Sequence, residues 1–321
     1  MEMSDFLGSV FFFVKLILVP SLPLKLYIMT GQVKCKSRKR MDGKVVLITG
    51  ANSGIGKVTA RDLLQRGATV IFGCRNLKKA SAVAQELLQG KSDGRIVMKR
   101  VDLSDFHSIH TAAREILAEE ERLDVLINNA GTVASDFKLT TDGFEKAYQV
   151  NYLAPVLLTE LLLPLLKRSA PARVVNVGSV CYIFGSINPK TLAADFKSKF
   201  STELMRYAST KLALLAYTKA SNKELGNSGV TVNVLHPGVA RTTIVPERTD
   251  IFAMLYKIFD RLMQLYGRSA KDAAQTVIHL SVESIAPFDK GQYWAECRAQ
   301  ATWRGNDPFI NGRVLKIPEM L

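Results

Sequence analysis

Residues 44–56 read KVVLITGANSGIG, and this stretch decides the fold of the chain. Lys44–Thr49 is a short run rich in β-branched residues, which is typical of a buried strand. Gly50, Gly54 and Gly56 follow at once and predict a tight turn that opens a helix. A buried strand that passes through a glycine-rich turn into a helix indicates the first unit of a parallel α/β sheet.

The rest of the chain alternates short β-branched runs with helical stretches, the pattern of a parallel sheet covered by helices. Long helices are predicted near residues 143–168 and 203–226. No linker is long enough to separate two domains, so residues 42–321 are predicted to form a single domain. Six further strands complete a predicted seven-stranded sheet: Thr69–Cys74, Ile96–Val101, Asp124–Asn128, Arg173–Val177, Val230–Leu235 and Gln292–Trp294.

The composition excludes several classes of protein. A chain of 321 residues with 47% hydrophobic and 22% charged residues is neither disordered nor of low complexity. The four cysteines form no CxxC pair and the four histidines form no ligand cluster, so neither a disulfide scaffold nor a metal site is expected. The formal net charge is +14, but no nucleic-acid motif accompanies it, so nucleic acid is not an expected partner.

The amino-terminal residues 6–29 read FLGSVFFFVKLILVPSLPLKLYIM and are apolar apart from two lysines and a few small polar residues. Residues 1–41 are therefore predicted to be a retained membrane anchor with a basic flank, which would keep the following domain on the cytosolic side. Pro20 and Pro23 favour a bend, so a bilayer span, an interfacial segment and a hairpin-like insertion stay open. A buried helix packed on the domain is a further alternative.

The glycine-rich turn predicts a dinucleotide site. Glycine has no Cβ where the backbone must approach a pyrophosphate, and the helix amino terminus offers N–H groups and a partial positive charge. The alternative is a turn that serves packing alone.

The end of the second strand indicates which dinucleotide is bound. Sites that prefer NAD place a carboxylate there, whereas this chain reads Gly73-Cys74-Arg75-Asn76. The Arg75 guanidinium suits the 2′-phosphate of NADP, and Lys57 in the first helical turn favours a nearby anion. Alternatively, both are solvated surface charges.

Tyr207 and Lys211 are the catalytic candidates, in the sequence YASTK on a predicted helix. Positions i and i+4 share one helix face, so the ammonium should lie beside the phenol and lower its pKa for general acid–base work. The alternative is a surface tyrosine followed by an ordinary helical lysine.

A set of motifs follows in a characteristic order and spacing: TGANSGIG at 49–56, Asp102-Leu103, Asn128-Asn129-Ala130-Gly131, Asn151, Ser179, YASTK at 207–211 and His236-Pro237-Gly238. Together they resemble the short-chain dehydrogenase/reductase family over roughly residues 42–300. The resemblance implies a Rossmann-type, doubly wound α/β sheet that binds NAD(P) at its carboxyl edge, with hydride passing between nicotinamide and a substrate carbonyl or alcohol.

The same resemblance implies roles for individual residues. Tyr207 would protonate the carbonyl oxygen, Ser179 would hydrogen-bond that oxygen, Lys211 would bind the nicotinamide ribose and Asn151 would hold a relay water. Asn151 could instead cap or bridge helices, and Ser179 could simply end a strand. Asp102 would lie near the adenine, Asn129 would close over the cofactor, and Thr242 would touch the nicotinamide amide or the phosphates. The full expected cofactor set is Gly50, Asn52, Ser53, Gly54, Ile55, Gly56, Arg75, Asn76, Asp102, Leu103, Asn129, Ala130, Gly131, Tyr207, Lys211, Pro237, Gly238 and Thr242.

Within that family the chain is most similar to membrane-anchored retinol dehydrogenases, through its apolar amino terminus, CRN at 74–76, DVLINNAG at 124–131, HPGVART and GQYWAEC. This implies an NADP(H)-dependent enzyme for retinol, retinal or another lipophilic carbonyl, at a membrane of the endoplasmic reticulum or at a lipid droplet. Homodimers are common in the family. A steroid or other lipid substrate, and a non-catalytic nucleotide-binding protein at a membrane surface, are the alternatives.

Three local features bear on this resemblance. After Asn151 the chain reads Ala154-Pro155-Val156 where relatives commonly carry Gly-x-Phe, and Gly178 precedes Ser179 where relatives often carry serine. The apolar segment 251–266 could cover a lipophilic ligand, rest on a bilayer or belong to the core.

Overall fold

The computed structural model describes residues 33–90, 92–133, 137–187, 203–241, 261, 264, 267–285 and 290–302. Strands and helices alternate along this part of the chain. In chain order they are β1 (Val45–Thr49), α1 (Gly54–Gln65), β2 (Thr69–Cys74), α2 (Leu77–Gln89), β3 (Arg95–Arg100), α3 (Phe106–Glu119), β4 (Val125–Asn128), α4 (Lys146–Tyr148), α5 (Ala154–Arg168), β5 (Ala172–Val177), α6 (Glu203–Leu225), β6 (Val230–Leu235), α7 (Ala270–Ala273), α8 (Gln275–Val282), β7 (Tyr293–Ala295) and β8 (Arg298–Gln300).

The strands form one sheet in the order β3-β2-β1-β4-β5-β6-β7-β8. The first seven strands are parallel, which confirms the predicted doubly wound α/β fold. The eighth, β8, pairs antiparallel with β7 and was not predicted, because its three exposed residues carry no hydrophobic pattern. The chain winds from β1 outward to β3 and then returns to β4, so the connections diverge between β1 and β4 and leave a crevice at the carboxyl ends of these two strands.

All five residues of β1 are buried, as expected for a central parallel strand. Because strand side chains alternate between faces, Val46 and Ile48 join the core cluster that includes Leu63 of α1 and Val277 of α8. Val45 and Leu47 join the opposite cluster, formed largely by side chains of α3 and α5. The strand is therefore the shared wall of two hydrophobic cores.

The long helix predicted near 143–168 begins at Lys146 and contains a π-turn at Gln149–Leu153. Pro155 stands in the first turn of α5, where its missing N–H would otherwise donate to the π-turn. Within the described part of the chain, Lys146–Arg168 is the one stretch long and apolar enough to cross a membrane, with a mean hydropathy of 1.4. Most of its apolar surface is buried in the protein, so core packing accounts for its composition.

The basic flank at residues 33–41 has no regular secondary structure and packs on the domain. Its Cys35 amide donates to Gln275 Oε1 at 3.0 Å, and Arg66 donates to the carbonyl oxygens of Ser37 at 3.1 Å and Lys39 at 2.8 Å. Residues 1–32, which hold the predicted anchor, lie outside the described residues, as do Thr242 and nearly all of the segment 251–266.

Candidate active site

The hydroxyl of Thr49 joins the carboxyl ends of β1 and β4. It accepts the backbone N–H groups of Asn129 at 3.0 Å and Ala130 at 3.1 Å, and it donates to the Ile127 carbonyl at 3.4 Å. The Asn129 amide returns a bond from Nδ2 to the Thr49 carbonyl at 2.9 Å. Asn129, predicted to close over a cofactor, therefore also fastens the two strands that border the crevice.

Gly56 and Gly54 serve different purposes in the glycine-rich turn. A Cβ at Gly56 would lie 2.4 Å from the Gly50 carbonyl oxygen and 2.6 Å from Asn129 Nδ2, so packing alone requires glycine there. Gly54 has φ +51°, and a Cβ there would meet no atom within 4 Å. Asn52 is partly buried in the same turn. Packing therefore accounts for the glycine at position 56, while Gly54 faces open space.

The amino terminus of α1 fits the pyrophosphate of a dinucleotide. Ser53 is the N-cap residue, but its side chain makes no capping hydrogen bond, and no acidic residue stands in the first turn. The first N–H groups of this twelve-residue helix, those of Gly54 and Ile55, therefore receive no side-chain cap from Ser53 and lie at the positive end of the helix dipole. This is the donor set that a phosphate requires.

Arg75 and Asn76 follow β2 directly, at the same edge of the sheet. Arg75 is exposed, and no acidic residue stands beside it in the sequence. Asn76 caps α2, because its Oδ1 accepts the Lys79 amide at 2.9 Å. Lys57 forms an ion pair with Glu86 at 2.6 Å, so it gives weaker support for a nearby phosphate than the sequence indicated.

Asp102 and Leu103 lie just beyond the end of β3. Asp102 Oδ1 accepts the Ser104 amide at 3.0 Å and the Ser104 hydroxyl at 2.6 Å, which fixes the carboxylate at the carboxyl edge. The Leu103 side chain is buried in the core beside α3, so only its backbone is available to a ligand.

Asn151 lies in the π-turn, with its side chain bound on both ends. Its Oδ1 accepts the Thr132 amide at 2.8 Å, while its Nδ2 donates to the Thr132 carbonyl at 2.8 Å and to Thr210 Oγ1 at 3.3 Å. A Cβ on Gly131 would lie 3.3 Å from Asn151 Oδ1 and 3.6 Å from Lys211 Nζ. The strand β4 loop, the π-turn and α6 therefore meet at Gly131.

Lys211 is buried on α6 and donates from Nζ to the Val177 carbonyl at 2.8 Å. Its Nζ lies 5.6 Å from the centre of the Tyr207 ring, as the YASTK spacing predicts. Burial lowers the pKa of Lys211 to about 8, because the charged ammonium loses its hydration.

The expected lowering of the Tyr207 pKa by Lys211 is wrong in this structure. Burial of the phenol raises its pKa above the usual range, and the neighbouring Cys181 thiol adds to the rise, while a hydrogen bond with Ser179 opposes it. The spacing of four residues correctly predicts that Tyr207 and Lys211 are neighbours, but it does not report how deeply the phenol is buried. Ser179 follows β5, is buried, and accepts the Cys181 amide at 3.2 Å.

Pro237 and Gly238 follow β6, at the same carboxyl edge of the sheet as Ser179. His236 just before them accepts the Val180 amide at its Nδ1, at 3.2 Å. This contact and the bridging roles of Thr49 and Thr132 are not predictable from the motifs alone. For the role of Thr49, the signal in the sequence is a threonine at the end of a strand, directly before the glycine-rich turn. Across the described ranges, no group of three His, Cys, Asp or Glu side chains is placed to hold a metal ion.

The sequence profile of the short chain dehydrogenases matches residues 44–250. The chain is 39% identical to retinol dehydrogenase 12 of Homo sapiens over 270 residues, which cover 84% of this chain and 82% of that protein. A crystal structure of an uncharacterized protein from Mycobacterium paratuberculosis superposes with a TM-score of 0.68 at 28% identity, covering 89% of this chain and 96% of that one. The active-site complex of Pseudomonas aeruginosa RhlG with NADP superposes with a TM-score of 0.56 at 27% identity, covering 76% and 91%.

Replacing Lys211 by methionine should stabilise the fold at neutral pH. The folded-state pKa near 8 lies below the unfolded value of about 10.4, so keeping the ammonium charged costs folding free energy below pH 8, and the cost fades as pH rises toward 10.5. At pH 7 the free energy of unfolding of Lys211→Met, measured with urea, should therefore exceed that of the unmodified protein by about 2 kcal/mol. Near pH 10 the two proteins should differ little. Lys223→Met, an exposed lysine on the same helix, is the control. A difference between Lys211→Met and the unmodified protein that does not change with pH would contradict the argument.

Proposed function

Because this chain belongs to the short-chain dehydrogenase/reductase family, we propose that it is an NADP(H)-dependent oxidoreductase that interconverts retinol, or a similar lipophilic alcohol, and its carbonyl form. The observation that carries the proposal is the meeting of Asn151, Ser179, Tyr207 and Lys211 at the carboxyl edge of the sheet, beside a helix amino terminus suited to a pyrophosphate. The similarity to retinol dehydrogenase 12 supports the substrate class.

The described side chains supply the proton chemistry of carbonyl reduction. NADPH supplies the hydride when bound. Ser179 and Tyr207 hold the carbonyl oxygen by hydrogen bonds, and the raised pKa of Tyr207 keeps its phenol protonated at neutral pH, ready to act as the acid. Lys211 then stabilises the phenolate by its charge. Because the pKa of Lys211 is about 8, its ammonium can also release a proton near neutral pH and so restore the phenol.

Exposed apolar side chains beside the catalytic residues support a lipophilic substrate. They stand in the short 3₁₀ turn that follows Ser179 and in the first turn of α6 before Tyr207, and these two elements pack together. An exposed cluster of large apolar side chains is typical of a binding surface. Its members are Val180, Ile183, Phe184, Leu204 and Met205.

Two other functions stay as alternatives. A steroid or another lipid carbonyl would use the same residues, so only a panel of substrates separates it from retinal. A non-catalytic nucleotide-binding protein would not need the four catalytic side chains, and their presence together favours the enzyme.

Arg75 supports NADP over NAD. It is exposed at the end of β2, where an NAD site would place a carboxylate, and its fork of N–H groups suits a phosphate monoester. The similar RhlG structure is a complex with NADP.

Replacing Tyr207 by phenylalanine should abolish carbonyl reduction, because the phenolic proton is lost while the ring stays. With membranes that contain the protein, we expect oxidation of NADPH dependent on all-trans-retinal, and a fall of at least about 10³-fold in Tyr207→Phe, with NADPH binding retained. Tyr217→Phe removes a hydroxyl from the same helix, one that bonds Glu160 at 2.7 Å, and should leave turnover unchanged.

A medium-chain aldehyde and a ketosteroid complete the substrate panel. Turnover of only one of these would shift the substrate to the alternative class. No turnover of any carbonyl, with NADPH bound, would favour the non-catalytic protein, and full activity in Tyr207→Phe would exclude the mechanism.

Exchanging Arg75 for aspartate should reverse the cofactor preference. Loss of charged hydrogen bonds to the 2′-phosphate, replaced by repulsion, should raise the KM for NADPH about 10- to 100-fold and change that for NADH little. The matched control is Arg114→Asp, which changes an exposed arginine on α3. Equal losses for NADPH and NADH would show that Arg75 does not contact the phosphate.

We also propose that residues 1–41 anchor the domain at residues 42–321 to a membrane of the endoplasmic reticulum or to a lipid droplet, with the site facing the cytosol. Lipophilic substrates partition into membranes, which supports this placement, and a homodimer is compatible with it.

The full chain should stay in the membrane pellet after alkaline carbonate extraction, while trypsin added outside sealed microsomes should cut the domain. Release into the supernatant would exclude an inserted anchor.

A further inference from the structure

Arg268 lies directly against the turn that follows β6. Gly238 in that turn has φ +83°, and a Cβ there would lie 2.6 Å from Cδ and 2.8 Å from Nε of Arg268. The backbones are bound as well: the Arg268 amide donates to the Val239 carbonyl at 2.7 Å, and the Arg241 amide donates to the Arg268 carbonyl at 2.8 Å. The Arg268 side chain is 6% exposed, so a buried cation braces the Pro237–Gly238 turn.

Glu296 directs its carboxylate at Arg268 from the two-residue turn between β7 and β8. Glu296 has φ +54° and Cys297 has φ +56°, in a position where hairpins favour glycine or asparagine. Among the described residues they are the two non-glycine positions with positive φ. The carboxylate forms an ion pair with Arg268 Nη1 and also accepts the Val33 amide at 3.4 Å. Backbone strain that persists beside a functional site is a reason to look for a role, and here the strained turn places a carboxylate against Arg268.

His236 connects Arg268 to the loop of Ser179. Its Nδ1 accepts the Val180 amide at 3.2 Å, and an imidazole nitrogen that accepts a hydrogen bond carries no proton. Protonation of His236 would therefore place a proton on Nδ1, which would then face the Val180 N–H and could no longer accept its hydrogen bond. Val180 follows Ser179, so the hydrogen bond fixes the backbone from which the Ser179 hydroxyl projects.

The surroundings of His236 favour its neutral form. Burial lowers its pKa to about 4, and the positive charge of Arg268 contributes to the lowering. Among the described elements packed around the imidazole, Arg268 is the charged group that acts on it, and Glu296 stands behind Arg268. Strand β7 contributes the Trp294 carbonyl, which accepts the His236 amide at 2.8 Å.

We propose that Arg268 and His236 are positioning residues for the active site: Arg268, held by Glu296, braces the Pro237–Gly238 turn and keeps His236 neutral, and neutral His236 holds the Ser179 loop. This inference rests on the proposed function, since its consequence is correct placement of Ser179 for carbonyl reduction. None of the three side chains needs to contact the substrate.

The first test is titration of the His236 imidazole by NMR, which needs no turnover. The chain has four histidines, so the signal absent from His236→Gln identifies the residue. In the unmodified protein His236 should stay neutral down to pH 5, whereas in Arg268→Met its midpoint should rise by about one pH unit or more. Arg268→Lys, which keeps the charge, should titrate like the unmodified protein. An unchanged midpoint in Arg268→Met would overturn the coupling between these residues.

The second test is the pH dependence of kcat with NADPH and the carbonyl that the unmodified protein reduces. Relative to the unmodified protein, the kcat of Arg268→Met should be lower by about twofold or more at pH 5 and should recover at pH 8, because neutral His236 returns as the pH rises. Arg268→Lys should restore kcat at pH 5. Glu296→Gln removes the negative charge beside Arg268 and keeps the Arg268 cation, so the midpoint of His236 should not rise in this variant. A rise of that midpoint would overturn the proposal, which keeps the test decisive if Arg268→Met does not fold.

Arg298→Met is the matched control, since Arg298 is exposed on β8 next to this turn, and it should change neither the titration nor kcat. A loss of kcat in Arg268→Met that is equal at every pH would indicate a merely structural role and overturn the proposal. If the unmodified protein turns over no carbonyl, the proposed function fails, while the NMR titration still decides whether Arg268 controls His236.

Discussion

The site depends on one contact, the hydroxyl of Thr49 between β1 and β4. At this point the chain has wound outward to β3 and returned on the other side, so the connections after β1 and β4 diverge and leave the crevice open. Two adjacent backbone N–H groups of the β4 loop point at a buried position and require an acceptor there. Thr49 supplies it, and the Asn129 side chain reciprocates. These hydrogen bonds join the carboxyl ends of the two strands that border the crevice.

A second polar network carries this rigidity to the catalytic helices. Asn128 Nδ2 donates to Asn176 Oδ1 at 2.9 Å and to Thr159 Oγ1 at 3.1 Å, and Asn176 Nδ2 donates to Thr218 Oγ1 at 2.9 Å. These buried hydrogen bonds connect β4 and β5 to two helices. Helix α5 follows the π-turn that carries Asn151, and helix α6 carries Tyr207. Because a buried donor without a partner is costly, each bond specifies one register of helix against sheet. The distances between the catalytic side chains follow from that register.

The sequence was sufficient for the features that depend on local pattern and insufficient for those that depend on distant partners. The bounds of β2 and β6 match the predicted strands because β-branched runs there are bounded by turn residues. Strand β8 carries no apolar alternation, so its pairing could not be predicted. Lys57 was interpreted through its helix alone, and its partner Glu86 lies 29 positions away. The high pKa of Tyr207 reflects burial by the whole fold, which a spacing of four residues cannot report.

The glycine-rich turn shows why a motif can identify a fold and a site at once. Gly56 is required because α1 passes so close to the Gly50 carbonyl and to Asn129 Nδ2 that no Cβ fits. That close approach belongs to the fold, and it places the first turn of α1 over the crevice. A Cβ at Gly54 would meet no atom within 4 Å, yet its positive φ is a backbone conformation that favours glycine. An alanine at Gly56 would therefore disturb the contact between the ends of β1 and β4, whereas an alanine at Gly54 would strain the glycine-rich turn and leave that contact in place. Gly56 is therefore required by the packing of the fold, and Gly54 by the conformation of the turn.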